Sequence, residues 1–175
     1  MTRYLVISAV GEDRPGIVKT LSESIVAVGA NIDESRMTLL GGEFAGILLV
    51  SGDADVMEAL QVALPEIERK TGLSITTKET TPRISEQQTM PYEVTAVAMD
   101  QPGIVHRVTE FFSERDINIR ELSTSTYAAA HSGTPMFALE MIVDVATGSR
   151  VSQLRKDFVD FCDDLLIDAA IESVN

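Results

Sequence analysis

The sequence predicts an α+β protein made of two ferredoxin-like βαββαβ units, each an antiparallel sheet with both helices on one face. Three observations carry this. The 175 residues repeat themselves at an offset of 87. Each copy alternates strand-period and helix-period apolar patterns in the same order. Each also places Pro-Gly after its first apolar run. The repeat is dense where the first copy begins: Leu5–Glu34 against Tyr92–Glu121 gives 11 identities in 30 positions. Further on, Phe44-Ala45 matches Phe137-Ala138 and Val50 matches Val143, so the offset grows to 93. The six extra residues fall in the small, polar stretch from Tyr127 to Thr134, as a lengthened hairpin loop would have them.

In the first copy, Leu5 to Val10 is a short apolar run suited to a strand covered on one face. Pro15-Gly16 ends it, and Pro is favoured in a first helical turn, where its missing N–H costs nothing. Ile17, Val18, Leu21, Ile25 and Val28 then recur at helical spacing. Gly29 suits the helix stop. Asn31–Leu40 and Glu43–Ser51 flank Gly41-Gly42, a hairpin signal. Val56, Met57, Leu60, Leu64 and Ile67 give one helical face between Asp53 and Lys70. Pro65 interrupts that face and predicts a kink or break. Leu73, Ile75 and Thr77 alternate with Ser74 and Thr76 as a closing strand.

The second copy repeats the order. Glu93–Met99 reads as a strand, and Ile104, Val105, Val108, Phe111 and Phe112 line a helix. Ile117–Tyr127 and Met136–Val145 form a hairpin. Val151, Leu154, Phe158 and Phe161 line a second helix, and Ile167, Ala169 and Ile171 alternate in the last strand. The stretch before Tyr92 is polar, bounded by Pro82 and Pro91, and aperiodic. The expected organisation is therefore a first domain over 1–80, a linker over 81–91 and a second domain over 92–175. Crossover handedness leaves each unit little choice but a four-stranded sheet.

Composition excludes several functions. The formal net charge is −13, and neither half is basic: residues 1–86 carry 8 basic and 13 acidic residues, and residues 87–175 carry 6 and 14. Direct binding to nucleic acid or to an anionic membrane is disfavoured, because affinity for phosphates needs clustered Lys and Arg. One cysteine, Cys162, allows neither an intrachain disulfide nor a Cys-based zinc cluster. No stretch approaches the roughly 20 apolar residues of a membrane span, and the N-terminus does not read as a signal peptide. A cytoplasmic protein is expected.

The recurring motif is Asp-x-Pro-Gly-Ile-Val with Asn-Ile downstream. It comprises Asp13, Arg14, Gly16, Ile17 and Asn31 in one copy, and Asp100, Gln101, Gly103, Ile104 and Asn118 in the other. Free N–H groups at a helix start favour a carboxylate. Glycine lets a ligand approach the backbone, and the Asn amide both donates and accepts. The same residue types also build a plain turn, with Asp as a capping device and Asn supporting its own loop. Both readings stand on the residues alone.

The βαββαβ pattern, the Asp-x-Pro-Gly-Ile-Val loop and the Asn-Ile strand start resemble an ACT domain, a regulatory module that binds amino acids. Two copies over nearly the whole chain, with no catalytic domain attached, resemble the tandem ACT regulators of glycine cleavage gene expression. The resemblance implies amino-acid binding at interfaces between ACT units through the ten residues just named, with glycine the favoured ligand. It further implies repression through contact with a transcriptional activator protein, and possible homo-oligomers. Arg14 against Gln101 makes the two sites inequivalent. A regulatory subunit of a metabolic enzyme and an adaptor without a ligand remain as alternatives.

No catalytic residue, metal site or cofactor is expected. Gly-x-Ser-x-Gly, Walker, dinucleotide-binding and His-Glu-x-x-His motifs are absent from the sequence. His106 sits one turn into a helix without partners for a triad or a metal, and His131 lies in the lengthened loop. Cys162 beside Phe161 suits a small packing residue. Asp157, Asp160, Asp163 and Asp164 read as a solvated helix face or as a surface for a basic partner.

Overall fold

A computed structural model describes residues 1–81 and 88–174. The chain divides into two compact units at residues 84/85. The first unit runs β1 (Arg3–Glu12), α1 (Ile17–Ala27), β2 (Asn31–Leu40), β3 (Glu43–Gly52), α2 (Ala54–Thr71) and β4 (Ser74–Thr80). The second runs β5 (Thr89–Met99), α3 (Ile104–Ser113), β6 (Asn118–Ala128), β7 (Pro135–Ala146), α4 (Val151–Asp164) and β8 (Asp168–Ser173). Each sheet is four-stranded and antiparallel, ordered β2-β3-β1-β4 and β6-β7-β5-β8. This is the ferredoxin-like arrangement expected of both copies.

Alternation sets which sheet face is covered. Leu5, Ile7 and Ala9 of β1 and Phe44, Leu48 and Val50 of β3 point under the helices, where Leu21, Ile25, Met57 and Leu60 complete the core. In the second unit Val94, Ala96, Leu139, Met141 and Val143 do the same. Four phenylalanines thicken that core. Phe111 lies 5.2 Å from Phe112, 5.1 Å from Phe158 and 5.2 Å from Phe161, centroid to centroid. Cys162 is buried among these residues. Burial pushes its thiol up to about 12, with the nearby Asp163 carboxylate adding to the effect.

Helix ends follow one rule in both units. α1 closes with Ala30 N–H on Ile25 O and Gly29 N–H on Val26 O, around Gly29 at φ 86°. This is a Schellman closure. α3 closes the same way through Ile117 on Phe112 and Asp116 on Ser113, with Asp116 at φ 54°. α4 does so through Ile167 on Cys162 and Leu166 on Asp163, with Leu166 at φ 58°. α2 ends at Gly72, φ 75°, whose N–H meets Glu68 O at 2.7 Å. At its start Asp53 accepts the Val56 N–H at 3.0 Å, an ordinary cap.

Two details depart from expectation. No break occurs at Pro65: α2 continues through it to Thr71, because the flanking Leu60 and Ile67 are held in the core. β5 begins at Thr89 rather than at Glu93, inside the stretch read as linker. Pro91 lies beyond the last β5–β8 register pair, Tyr92 with Ser173, where β7 pairs with it and the β8 side reaches it only through the Val174 N–H on Pro91 O at 3.5 Å. A proline is tolerated at such a one-sided position. Residues 82–87 of the expected linker lie outside the described residues. The lengthened hairpin loop falls between β6 and β7, where the six additional residues were expected.

Candidate functional site

The duplicated loop has the same geometry twice. The backbone N–H of Asp13 donates to Gly42 O at 3.2 Å, and that of Asp100 to Pro135 O at 3.0 Å. Each loop is thereby pinned to the far end of its hairpin. Arg14 to Ile17 form a type II turn: the Ile17 N–H reaches Arg14 O at 3.2 Å, with Pro15 second and Gly16 third at φ 87°, ψ 1°. Gly103 adopts the same conformation, φ 94°, ψ −2°.

The capping alternative takes a definite form here. Gly16 and Gly103 are themselves the helix N-caps, so neither α1 nor α3 has a side-chain cap. Neither helix has an acidic residue in its first turn. A Cβ placed on Gly16 or Gly103 would meet nothing within 4 Å. The helix starts therefore face open space with donors uncapped by side chains.

The expected residues divide by role. Ile17 and Ile104 are each 4% exposed and belong to the cores. Arg14 donates from Nη2 to Lys70 O at 2.5 Å, which ties the loop to the last turn of α2. Asp13, Asp100 and Gln101 are exposed.

Asn31 and Asn118 start β2 and β6, and both strands carry a bulge just afterwards, between Ile32/Glu34 and Ile119/Glu121. Asn31 donates to Asp33 Oδ1 at 2.6 Å. Asn118 reaches Asp144 Oδ2 at 3.5 Å. Asp144 is only 7% exposed and is held by the Arg120 guanidinium through both Nε and Nη2. The sequence reading missed Asp33, Arg120 and Asp144. The signal available was the offset itself, which aligns Arg120 with Asp33 and Asp144 with Ser51.

One unit does not bring its loop and its Asn together. Asn31 pairs with Ser51, which pairs with Tyr4 at the start of β1, whereas Asp13 follows the end of β1. At about 3.3 Å per residue that separation is roughly 30 Å. Asn118 and Asp100 are related in the same way through Asp144 and Pro91. β2 and β6 are outer strands of their sheets, and nearly every residue on them is exposed.

Other residues weighed for chemistry are unremarkable. His106 is exposed, 3.9 Å from Glu110 on the same helix. Among the described residues no cluster of His, Cys, Asp and Glu forms a metal site. No described helix is long and apolar enough to cross a membrane.

Comparison with known proteins covers the chain end to end. The ACT domain family model matches residues 3–78. The glycine cleavage system transcriptional repressor of Escherichia coli K12 is 30% identical over 172 residues, covering 98% of this chain and 90% of that protein. Among solved structures, an unknown protein from Galdieria sulphuraria is 31% identical, with TM-score 0.79 and complete coverage of both chains. A candidate glycine cleavage system transcriptional repressor is 28% identical, with TM-score 0.77 over 100% of this chain and 99% of that one.

Proposed function

Because the ACT domain family model matches the first unit and the chain belongs to the family of the glycine cleavage system transcriptional repressor, which it matches along nearly its whole length, we propose that it senses a small amino acid and uses that signal to repress glycine cleavage genes through a transcription-factor partner. It works as a binding protein and carries out no reaction. Glycine is the favoured ligand.

The observation that carries this reading is the pair of open helix starts at Gly16 and Gly103. Uncapped N–H groups at a helix start attract a carboxylate, and the helix dipole adds to the attraction. The Asn side chains supply the complementary half for an ammonium group. That half lies at the opposite end of the same sheet, so a single unit does not present both to one small ligand. Binding then stabilises one state of the protein over another. A coupling of roughly 1–3 kcal/mol suffices to change affinity for a partner.

The strongly negative charge supports action through a protein rather than on DNA. The test is thermal denaturation with glycine, serine, alanine and larger amino acids, since a ligand of the native state raises the midpoint. Glycine is expected to raise it, saturably. A melting curve unmoved by the whole panel overturns the sensing role. Capture of a transcriptional activator that weakens on adding glycine supports the partner assignment. Capture of a metabolic enzyme in its place defeats it.

A further inference from the structure

The second unit contains a charged cleft at the end of the sheet away from the Asp100–Gly103 loop. It has a volume of about 270 Å³ and is bounded by the end of α3, the end of β7 and the first turns of α4. Arg115, Asp116, Asp144, Arg150, Gln153 and Asp157 supply its polar lining.

These groups are not equally committed. Asp144 is held by Arg120 and Asn118. Arg115 lies with its guanidinium carbon 3.7 Å from the centre of the Phe111 ring and donates to Phe111 O at 2.8 Å. Asp157 accepts one bond from Gln153 at 2.6 Å, which leaves its second oxygen unspent. Arg150 and Asp116 make no side-chain hydrogen bond or ion pair with the described residues. A cation and carboxylates with spare capacity thus line one small space.

The first unit shows what this place looks like when it only has to pack. Val28, Gly29 and Ala30 stand where the second unit has Arg115, Asp116 and Ile117. Ser51 and Gly52 stand where it has Asp144 and Val145. There Val56 fills the space. Its γ-carbons lie 2.6 Å from the position a Cβ would take on Gly52 and 3.6 Å from that on Gly29. The duplicated fold therefore does not require a cleft or charges here. Asp116 even occupies the left-handed conformation for which the first copy uses glycine.

We propose that this cleft binds a small zwitterion, a molecule carrying a carboxylate and an ammonium group a few bonds apart. Arg150 pairs with the carboxylate, for which a guanidinium offers two parallel donors. Asp116 and the free oxygen of Asp157 accept from the ammonium group. A simple anion meets three carboxylates in the lining, and a simple cation meets two guanidiniums. A zwitterion satisfies both signs at once. This proposal does not depend on the loop site.

The experiment is amide-resolved NMR titration of the full chain with glycine, β-alanine and γ-aminobutyrate, which separate the two charges by increasing lengths. Acetate and methylammonium serve as single-charge controls. The expected result is saturable shifts at Asp116, Ser149, Arg150 and Asp157 with one of the three zwitterions, and weaker ones with either control. Arg150→Gln, at an exposed position, and Asp157→Asn, at a half-buried one, should each weaken these shifts roughly tenfold, the worth of one charge-assisted bond. Shifts at Asp100–Gly103 should be unaffected by either variant. The proposal fails if no zwitterion moves the cleft amides at millimolar concentration. It also fails if acetate moves them equally, or if Arg150→Gln binds as the parent does. Shifts confined to the two loops would defeat it and leave the sensing role intact.

Discussion

Leu166 is 82% exposed and sits at φ 58°, a conformation that its unit-one counterpart, Gly72, adopts freely. A left-handed L-residue costs roughly 1–2 kcal/mol, and introducing glycine gives back roughly 0.4–1 kcal/mol through the unfolded chain. Leu166→Gly should therefore stabilise the second unit by about 0.5–1 kcal/mol. Calorimetry should show its transition several degrees higher. The Schellman closures explain why this position was illegible in the sequence. Gly29 announces a left-handed helix stop, whereas Asp116 and Leu166 make the same bonds with side chains that advertise nothing. Cys162 permits a second prediction. Burial raises its folded thiol to about 12 from an ordinary value of 9.0. The neutral folded state is favoured, so this contribution is complete below pH 9 and declines as pH rises from 9 towards 12. Between pH 7 and 10.5 the parent should lose midpoint more steeply than Cys162→Ala, and a thiol reagent at pH 8 should label it only on unfolding.

The twelve strands and helices were readable because each obeys one period and the chain states the pattern twice. What periodicity does not resolve is how strongly neighbours hold an element in place. Pro65 lies on the exposed side of α2, and the helix is anchored on either side of it by Leu60 and Ile67. The helix continues and bears the loss of one backbone hydrogen bond, at a cost of up to about 3 kcal/mol. Pro65→Ala should recover about 1–3 kcal/mol in denaturant unfolding of the first unit, without changing the denaturant dependence. An unchanged midpoint would mean that neighbouring groups already satisfy the freed carbonyl. The opposite error occurred at β5. Pro91 suggested a linker because a proline argues against a strand, yet the strand extends through it just past its last register pair with β8. The bulges after Asn31 and Asn118 left no mark at all, since a register shift of one residue has no composition of its own.

At the scale of the whole molecule the two copies are alike in fold and unlike in what their Asn residues do. The loop half of the candidate site was legible, since Pro-Gly between a strand and a helix demands the turn that forms. The Asn half was legible as a residue but not as a place, because only the register shows it at the far end of the sheet. Its partners differ as well. Asn31 is engaged by Asp33, its own bulge neighbour, and Asn118 by Asp144, which Arg120 also holds. If each Asn meets the ligand's ammonium or carboxylate, removing it costs one charge-assisted bond, about 1.5–3 kcal/mol, or roughly ten- to a hundredfold in affinity. Asn31→Ala and Asn118→Ala, made singly, should each abolish most of any glycine-induced rise in midpoint at one site. Neither should disturb the ligand-free fold, because both side chains are exposed. The two losses should differ. Asn31 is held by an exposed neighbour, whereas Asn118 is held by a buried carboxylate that is itself fixed by Arg120, and so forfeits less on binding. The Asn118 variant should therefore show the larger drop in calorimetric affinity. Equal losses would mean that Asp144 plays no part in holding the ligand group, and no loss from either would move the ligand away from the outer strands altogether.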